Sequence, residues 1–114
     1  MKLRFEDNTL RLRLSAEEVA TFGETGQLAS HVPLAPGPDG TLTYALQRAP
    51  DDSTAATTAV LRVAYLPGHL TVLIPETIAR NWVASEEISL SASVQVADAV
   101  ELRILVEKDL GCRH

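Results

Sequence analysis

Apolar residues at every second position, in short runs along nearly the whole chain, leave few ways to fold this sequence. Leu3 and Phe5 alternate with Lys2, Arg4 and Glu6, and Leu10, Leu12 and Leu14 alternate with Thr9, Arg11 and Arg13. A period of two puts one face of a strand in a core and the other in water. Leu42, Tyr44 and Leu46 form another such run, as do Val60 to Tyr65, His69 to Ile74, Ile88 to Val96 and Val100 to Val106. Gln27 to Leu34 is a weaker strand. Asp7-Asn8 reads as a type I′ hairpin turn, because both residues tolerate positive φ. Pro67-Gly68 favours a type II turn, which suits strand twist poorly, so a longer loop is expected there.

Two short helices interrupt the strands. Ser15-Ala16-Glu17-Glu18 is a capping box, in which the serine oxygen accepts a helical N–H and Glu18 reaches back. Capping and the helix dipole account for Glu17 and Glu18 better than acid–base work does. Val19 and Phe22 are its buried side, and Gly23 or Gly26 ends it. Pro75 opens a second helix from its first position, with Ile78, Ala79 and Trp82 inward. Glu86-Glu87 reads as a solvated turn. Pro33 to Gly40 is a loop by its proline and glycine content, and the connector at about residues 49–58 is small, polar and mobile.

The order strand–strand–helix–strand–strand occurs twice, over residues 2–48 and 61–109. A shift of 60 residues lays Leu3 on Val63, Phe5 on Tyr65, Leu10 on Leu70, Leu12 on Val72 and Leu14 on Ile74. It also lays Phe22 on Trp82, Leu28 on Ile88 and Leu42 on Leu102. In-phase alternation alone would match many of these. It does not require the helix anchors and both flanking hairpins to keep one shift, so a duplication is favoured over two unrelated halves. Either half alone is too small to be stable. The expected fold is α+β and predominantly antiparallel: two pseudo-repeated ββαββ units, about eight strands and two short helices, sharing one core in a single domain over 1–114.

Composition excludes several classes. With 114 residues, 46% hydrophobic and 22% charged, the chain is an ordinary globular domain. A net charge of −5 argues against a general nucleic-acid binder. No run is long enough for a membrane span, and the start lacks the apolar stretch of a signal peptide. The single cysteine, Cys112, suits a reducing compartment. A cytoplasmic protein is expected.

The first hairpin carries the most unusual surface. A two-residue turn sets Arg4 opposite Arg11 and Lys2 opposite Arg13, an arrangement that like charges disfavour. These four cations either form a site for an anion or acidic partner, or are neutralised by Glu101 and Glu107 of an adjacent strand. Neutralisation is favoured. The matching face of the second half is apolar instead: Ala64, Leu66 and Leu73 imply a covered surface, under a helix of the same chain or a second protomer, with a homodimer contact preferred.

Asp109, Cys112 and His114 are all metal-ligand types, but too few for a closed site, so no metal and no other cofactor is expected. His31 and His69 stand alone and read as surface or edge residues. There is no Ser–His–Asp order, glycine-rich phosphate loop, His-Glu-x-x-His or Cys-x-x-Cys.

Three stretches carry a family likeness: Leu10-Arg11-Leu12-Arg13-Leu14-Ser15 with Glu24-Thr25-Gly26, then Leu42-Thr43-Tyr44-Ala45-Leu46, then Leu102 to Cys112 with its Glu-Lys-Asp-x-x-Cys close. In these the chain resembles a family of small uncharacterised bacterial proteins, a domain of unknown function. The resemblance implies a bacterial, intracellular protein and no catalytic activity. Members often continue past this cysteine into an acidic tail, whereas this chain stops at His114.

The expected function is a non-enzymatic binding or interaction module, pictured as a homodimer, with an unidentified protein or small anion as partner. The alternative is a small-ligand- or anion-binding protein, or a small enzyme, with Arg4, Arg11, Arg13, Glu101 and Glu107 lining a charged cleft between the halves. Charges facing into a strand-lined cavity favour the alternative, and charges on an open sheet face favour the module.

Overall fold

Each run of alternating residues becomes a strand in the computed structural model, which describes residues 1–50 and 61–109. The first unit comprises β1 (Lys2–Glu6), β2 (Thr9–Ser15), α1 (Ala16–Thr25), β3 (Gln27–Pro33) and β4 (Thr41–Ala49), with a 3₁₀ turn at Pro38–Gly40. The second comprises β5 (Arg62–Leu66), β6 (His69–Pro75), α2 (Glu76–Ala84), β7 (Ser89–Ala97) and β8 (Val100–Asp109). The expected connector lies outside the described residues from position 51 onward, and Ala49 at its start is a buried strand residue.

The two units exchange hairpins. One sheet has the order β1-β2-β8-β7 and the other β3-β4-β6-β5, so each contains strands from both halves. The joins, β2 to β8 and β4 to β6, are parallel, and every other pairing is antiparallel. Thr9 pairs with Arg103 in one join and His69 with Thr43 in the other, the same contact displaced by 60 residues. Neither half closes a sheet alone. This is the α+β architecture of two ββαββ units around a shared core.

That core is one continuous cluster. Leu10, Leu12, Leu14 and their counterparts Leu70, Val72 and Ile74 all face it, with Leu46, Ile104 and Val106 beside them. Burying each such side chain stabilises the fold by about 1.5–3 kcal/mol. Phe22 of α1 and Trp82 of α2 are fully buried and meet edge to face, with ring centroids 6.4 Å apart. The helices therefore touch through positions 60 residues apart. Gly23 and Val83, the next such pair, also touch, and a Cβ on Gly23 would lie 2.8 Å from Val83 Cγ1.

Local chemistry sets the helix ends. Ser15 Oγ accepts from the Glu18 N–H (3.2 Å), and Glu18 Oε1 accepts from the Ser15 N–H (2.8 Å). Glu18 also pairs with the Met1 ammonium. Burial alone would push its carboxyl up, but these hydrogen bonds and the positive charge together hold it below its ordinary value. Gly26, not Gly23, ends α1, in the left-handed conformation (φ 80°). Pro75 sits at the N-cap, one position before the expected one. Neither helix has a basic residue in its last turn. The opposite strands supply the cations. Arg48 donates to the Gly23 carbonyl (3.4 Å) and Lys108 Nζ to the Ser85 carbonyl (2.8 Å), which complements the negative helix end. These two residues are again 60 apart. Lys108 also lies 5.3 Å from the Trp82 ring centroid. Its burial pushes the ammonium below its ordinary pKa, and Glu87 partly offsets this.

Three details differ from the sequence reading. Positive φ is confined to Asp7 (53°) in the first turn, which rules out type I′ geometry. Pro67-Gly68 is a two-residue turn after all, since Leu66 pairs with His69. Its twist mismatch is offset where the Thr43 N–H donates to the Gly68 carbonyl (2.8 Å), as Arg103 does to Asn8 (3.0 Å) in the other half. The third concerns β7. Leu46 faces Leu28, whereas its counterpart Val106 faces Leu90, so Leu28 corresponds to Leu90 and not Ile88. Two extra residues after α2 push Ile88 out of the strand and into water.

Candidate functional site

The exchange of hairpins leaves one end of the molecule open. Both helices, with Phe22, Trp82, Leu14 and Ile74, fill the space where β2 and β6 end. The tight turns lie at the opposite end. There the Asn8 side chain donates to the Glu101 carbonyl (2.6 Å), and neither α1 nor α2 separates the sheets. The inner residues at that end cover only one another, and a cleft of about 740 Å³ remains.

The cleft takes its walls from both units. Phe5 and Tyr65, Leu10 and Leu70, and Leu42 and Leu102 line it as counterpart pairs. Phe5 is the cross-strand neighbour of Leu10, as Tyr65 is of Leu70. Both aromatic rings belong to the inward set by alternation, yet they are 60% and 67% exposed. They sit next to the turns, beyond the reach of the helices. Val63 of β5 and Val94 and Val96 of β7 close one side, with Arg62 and Gln95 as the polar residues of the lining. The Arg62 guanidinium makes no hydrogen bond or ion pair among the described residues. This volume falls in the range that small-molecule sites occupy, roughly 300–1,000 Å³. The sequence reading missed the cleft. The available signal was an aromatic residue just before the turn in each half, taken there as core.

The basic hairpin is where alternation places it, on the outer face of its sheet. Arg4 faces Arg11 and Lys2 faces Arg13. β8 brings Glu107 beside them, 3.6 Å from both Arg11 Nε and Arg13 Nη2. Arg11 Nε and Glu107 Oε1 are solvent-excluded and make no hydrogen bond, so this is a charge contact shared between two cations. Arg4 has Glu6 at 3.8 Å. Glu101 takes no part: its side chain is remote from the arginines in register, and its carbonyl holds Asn8 instead. The parallel join explains this, since β8 runs with β2 and presents Glu107, not Glu101, opposite Arg13. A recess of about 550 Å³ lies here, lined by Lys2, Arg4, Arg11 and Arg13 with Met1, Leu3 and Tyr44.

Ala64 and Leu66 are exposed and Leu73 half-buried on the outer face of the other sheet, and no described helix covers them. Asp109 ends β8 beside Ser15. Cys112 and His114 lie outside the described residues. Among the described residues no three His, Cys, Asp or Glu side chains gather as a metal site. His31 is exposed on β3, with Nδ1 3.0 Å from Thr43 Oγ1, and His69 is exposed beside its turn. No described helix is long and apolar enough to cross a membrane.

Fold and cleft together define a class: a two-sheet α+β protein of exchanged ββαββ units with an apolar mouth. The chain belongs to a family of unknown function, DUF7009, which matches residues 1–114. No curated protein and no solved structure matches it.

Proposed function

We propose that this protein is a non-enzymatic binding module, and that it holds an elongated apolar ligand with an anionic head in the cleft between its sheets. The observation that carries this reading is the cleft itself: hydrophobic walls, with a guanidinium, Arg62, at the β5 side that has no ion-pair partner among the described residues. An apolar body is favoured by the walls, and the Arg62 cation selects the head group. The charged residues that would serve a reaction between the halves lie on an outer sheet face instead, which supports a module over an enzyme.

Titration calorimetry with dodecanoate below its micellar concentration tests this. Saturable binding of one ligand per chain is expected, weaker by about tenfold in Arg62→Gln, the scale of one lost charge-assisted hydrogen bond. Tyr65→Glu, an exposed change that puts a carboxylate at the mouth, abolishes it. No saturable heat, or heat indifferent to both changes, refutes the reading.

A second reading has its own support. Among the described residues Lys2, Arg4, Arg11 and Arg13 have only Glu6 and Glu107 within ion-pair reach, which leaves an excess of positive charge in an acidic protein and suits an acidic partner. We further infer an origin by internal duplication, supported by the matched registers of the two joins. A bacterial cytoplasmic setting rests on the sequence resemblance and the single cysteine.

A further inference from the structure

A strand at the edge of a sheet presents unpaired backbone N–H and C=O groups, and proteins usually guard such edges with charge, proline or brevity. This fold has four edges: β1, β3, β5 and β7. β1 has five residues and carries Lys2, Arg4 and Glu6. β5 has five and carries Arg62. β3 carries His31 and ends in Pro33. β7 lacks these guards. It is nine residues long, Ser89–Ala97, with no charge and no proline. Its one irregularity falls between Gln95 and Ala97 and leaves Ser89 to Val94 in regular register with β8.

We propose that β7 pairs antiparallel with β7 of a second copy of this chain, joining two four-stranded sheets into one across a twofold axis. The composition of β7 favours its own copy over a foreign strand. A register centred on Ala92 sets Leu90 against the partner's Val94, and Ser91 against the partner's Ser93. Apolar residues meet on the inner layer and serines on the outer, as an isologous contact requires. The same register brings Ile88 toward the partner's Val96. These are two of the exposed large hydrophobic residues, at 51% and 55%, and Val96 also lies at the margin of the cleft. Each copy carries a net charge of −5, so an uncharged strand is where two copies meet with least repulsion. The surface is distinct from Ala64, Leu66 and Leu73 on the other sheet.

Sedimentation equilibrium of the full chain over a range of concentrations reads this out. A monomer–dimer equilibrium is expected. Ser91→Lys with Ser93→Lys places lysines opposite lysines across the axis and weakens the dimer by about tenfold or more. Both side chains are exposed in the monomer, so circular dichroism and thermal midpoint at low concentration stay unchanged. Leu66→Lys leaves the dimer intact. The proposal is overturned if the native chain is monomeric throughout. It is also overturned if the dimer survives the double lysine change, or if Leu66→Lys dissolves it. Val94 and Val96 border both surfaces, but Ser91 and Ser93 lie outside the cleft lining, so saturable ligand binding by the monomeric double variant reports on the proposed function whether or not the native chain dimerises.

Discussion

Replacing Gly23 by alanine sets two effects of opposite sign against each other. In an exposed helix interior, glycine to alanine gains about 0.8–1 kcal/mol of helix propensity. Here the new methyl lies 2.8 Å from Val83 Cγ1, at least about 0.6 Å inside the 3.4 Å limit of ordinary contact. Val83 is β-branched, so its rotamer cannot swing freely out of the way. Overpacking of this kind costs about 1–3 kcal/mol. The net expectation is a loss of about 1 kcal/mol, or about 3–6 °C in thermal midpoint for a domain of this size. Val83→Ala removes the obstructing methyl. In that background Gly23→Ala becomes stabilising, and the double-mutant cycle gives a coupling of about 1–3 kcal/mol. Urea unfolding of the four proteins measures all terms. If Gly23→Ala alone stabilises the native chain by the full propensity gain, the helices do not meet at these counterpart positions, and the reasoning fails.

Ala99 takes φ 59° in the β7–β8 turn. Ala99→Gly removes that strain and stabilises by about 1 kcal/mol in urea unfolding. Glu107→Gln leaves Arg11 and Arg13 without their shared counter-charge. The pair is partly exposed, so the loss is about 0.5–1.5 kcal/mol, larger at low salt than in molar salt. Burial holds the Lys108 ammonium below its ordinary pKa in the folded chain. Between its folded and unfolded pKa values the unfolded chain binds the extra proton, so stability rises with pH across that window. A comparison with Lys108→Gln isolates this rise, which the variant lacks.

The legible part of the fold follows from periodicity. Alternation placed Leu10, Leu12, Leu14 and their counterparts inward, and the Ser15–Glu18 box fixed the start of α1. The hairpin register, with Arg4 opposite Arg11, followed from turn length alone. What local pattern could not reveal was which hairpin pairs with which. Parallel joins between distant strands leave no periodic trace, so Glu101 and Glu107 are both expected as counter-charges, whereas only Glu107 reaches the arginines. Alternation also carries no depth along a strand. Phe5 and Leu10 belong to one inward face, yet only Leu10 lies under cover. The cleft was invisible for that reason. The offset of Leu90 from Leu28 hid behind an in-phase strand, where a two-residue slip preserves every inward position.

Amide chemical-shift mapping by NMR, with dodecanoate added to the isotopically labelled chain, addresses the binding site most directly. Ligand capture between the sheets displaces the resonances of Phe5, Leu10, Tyr65, Leu70, Val94 and Leu102, drawn from both units. Shifts confined to Lys2, Arg4, Arg11 and Arg13, or none at all, would place the functional surface elsewhere.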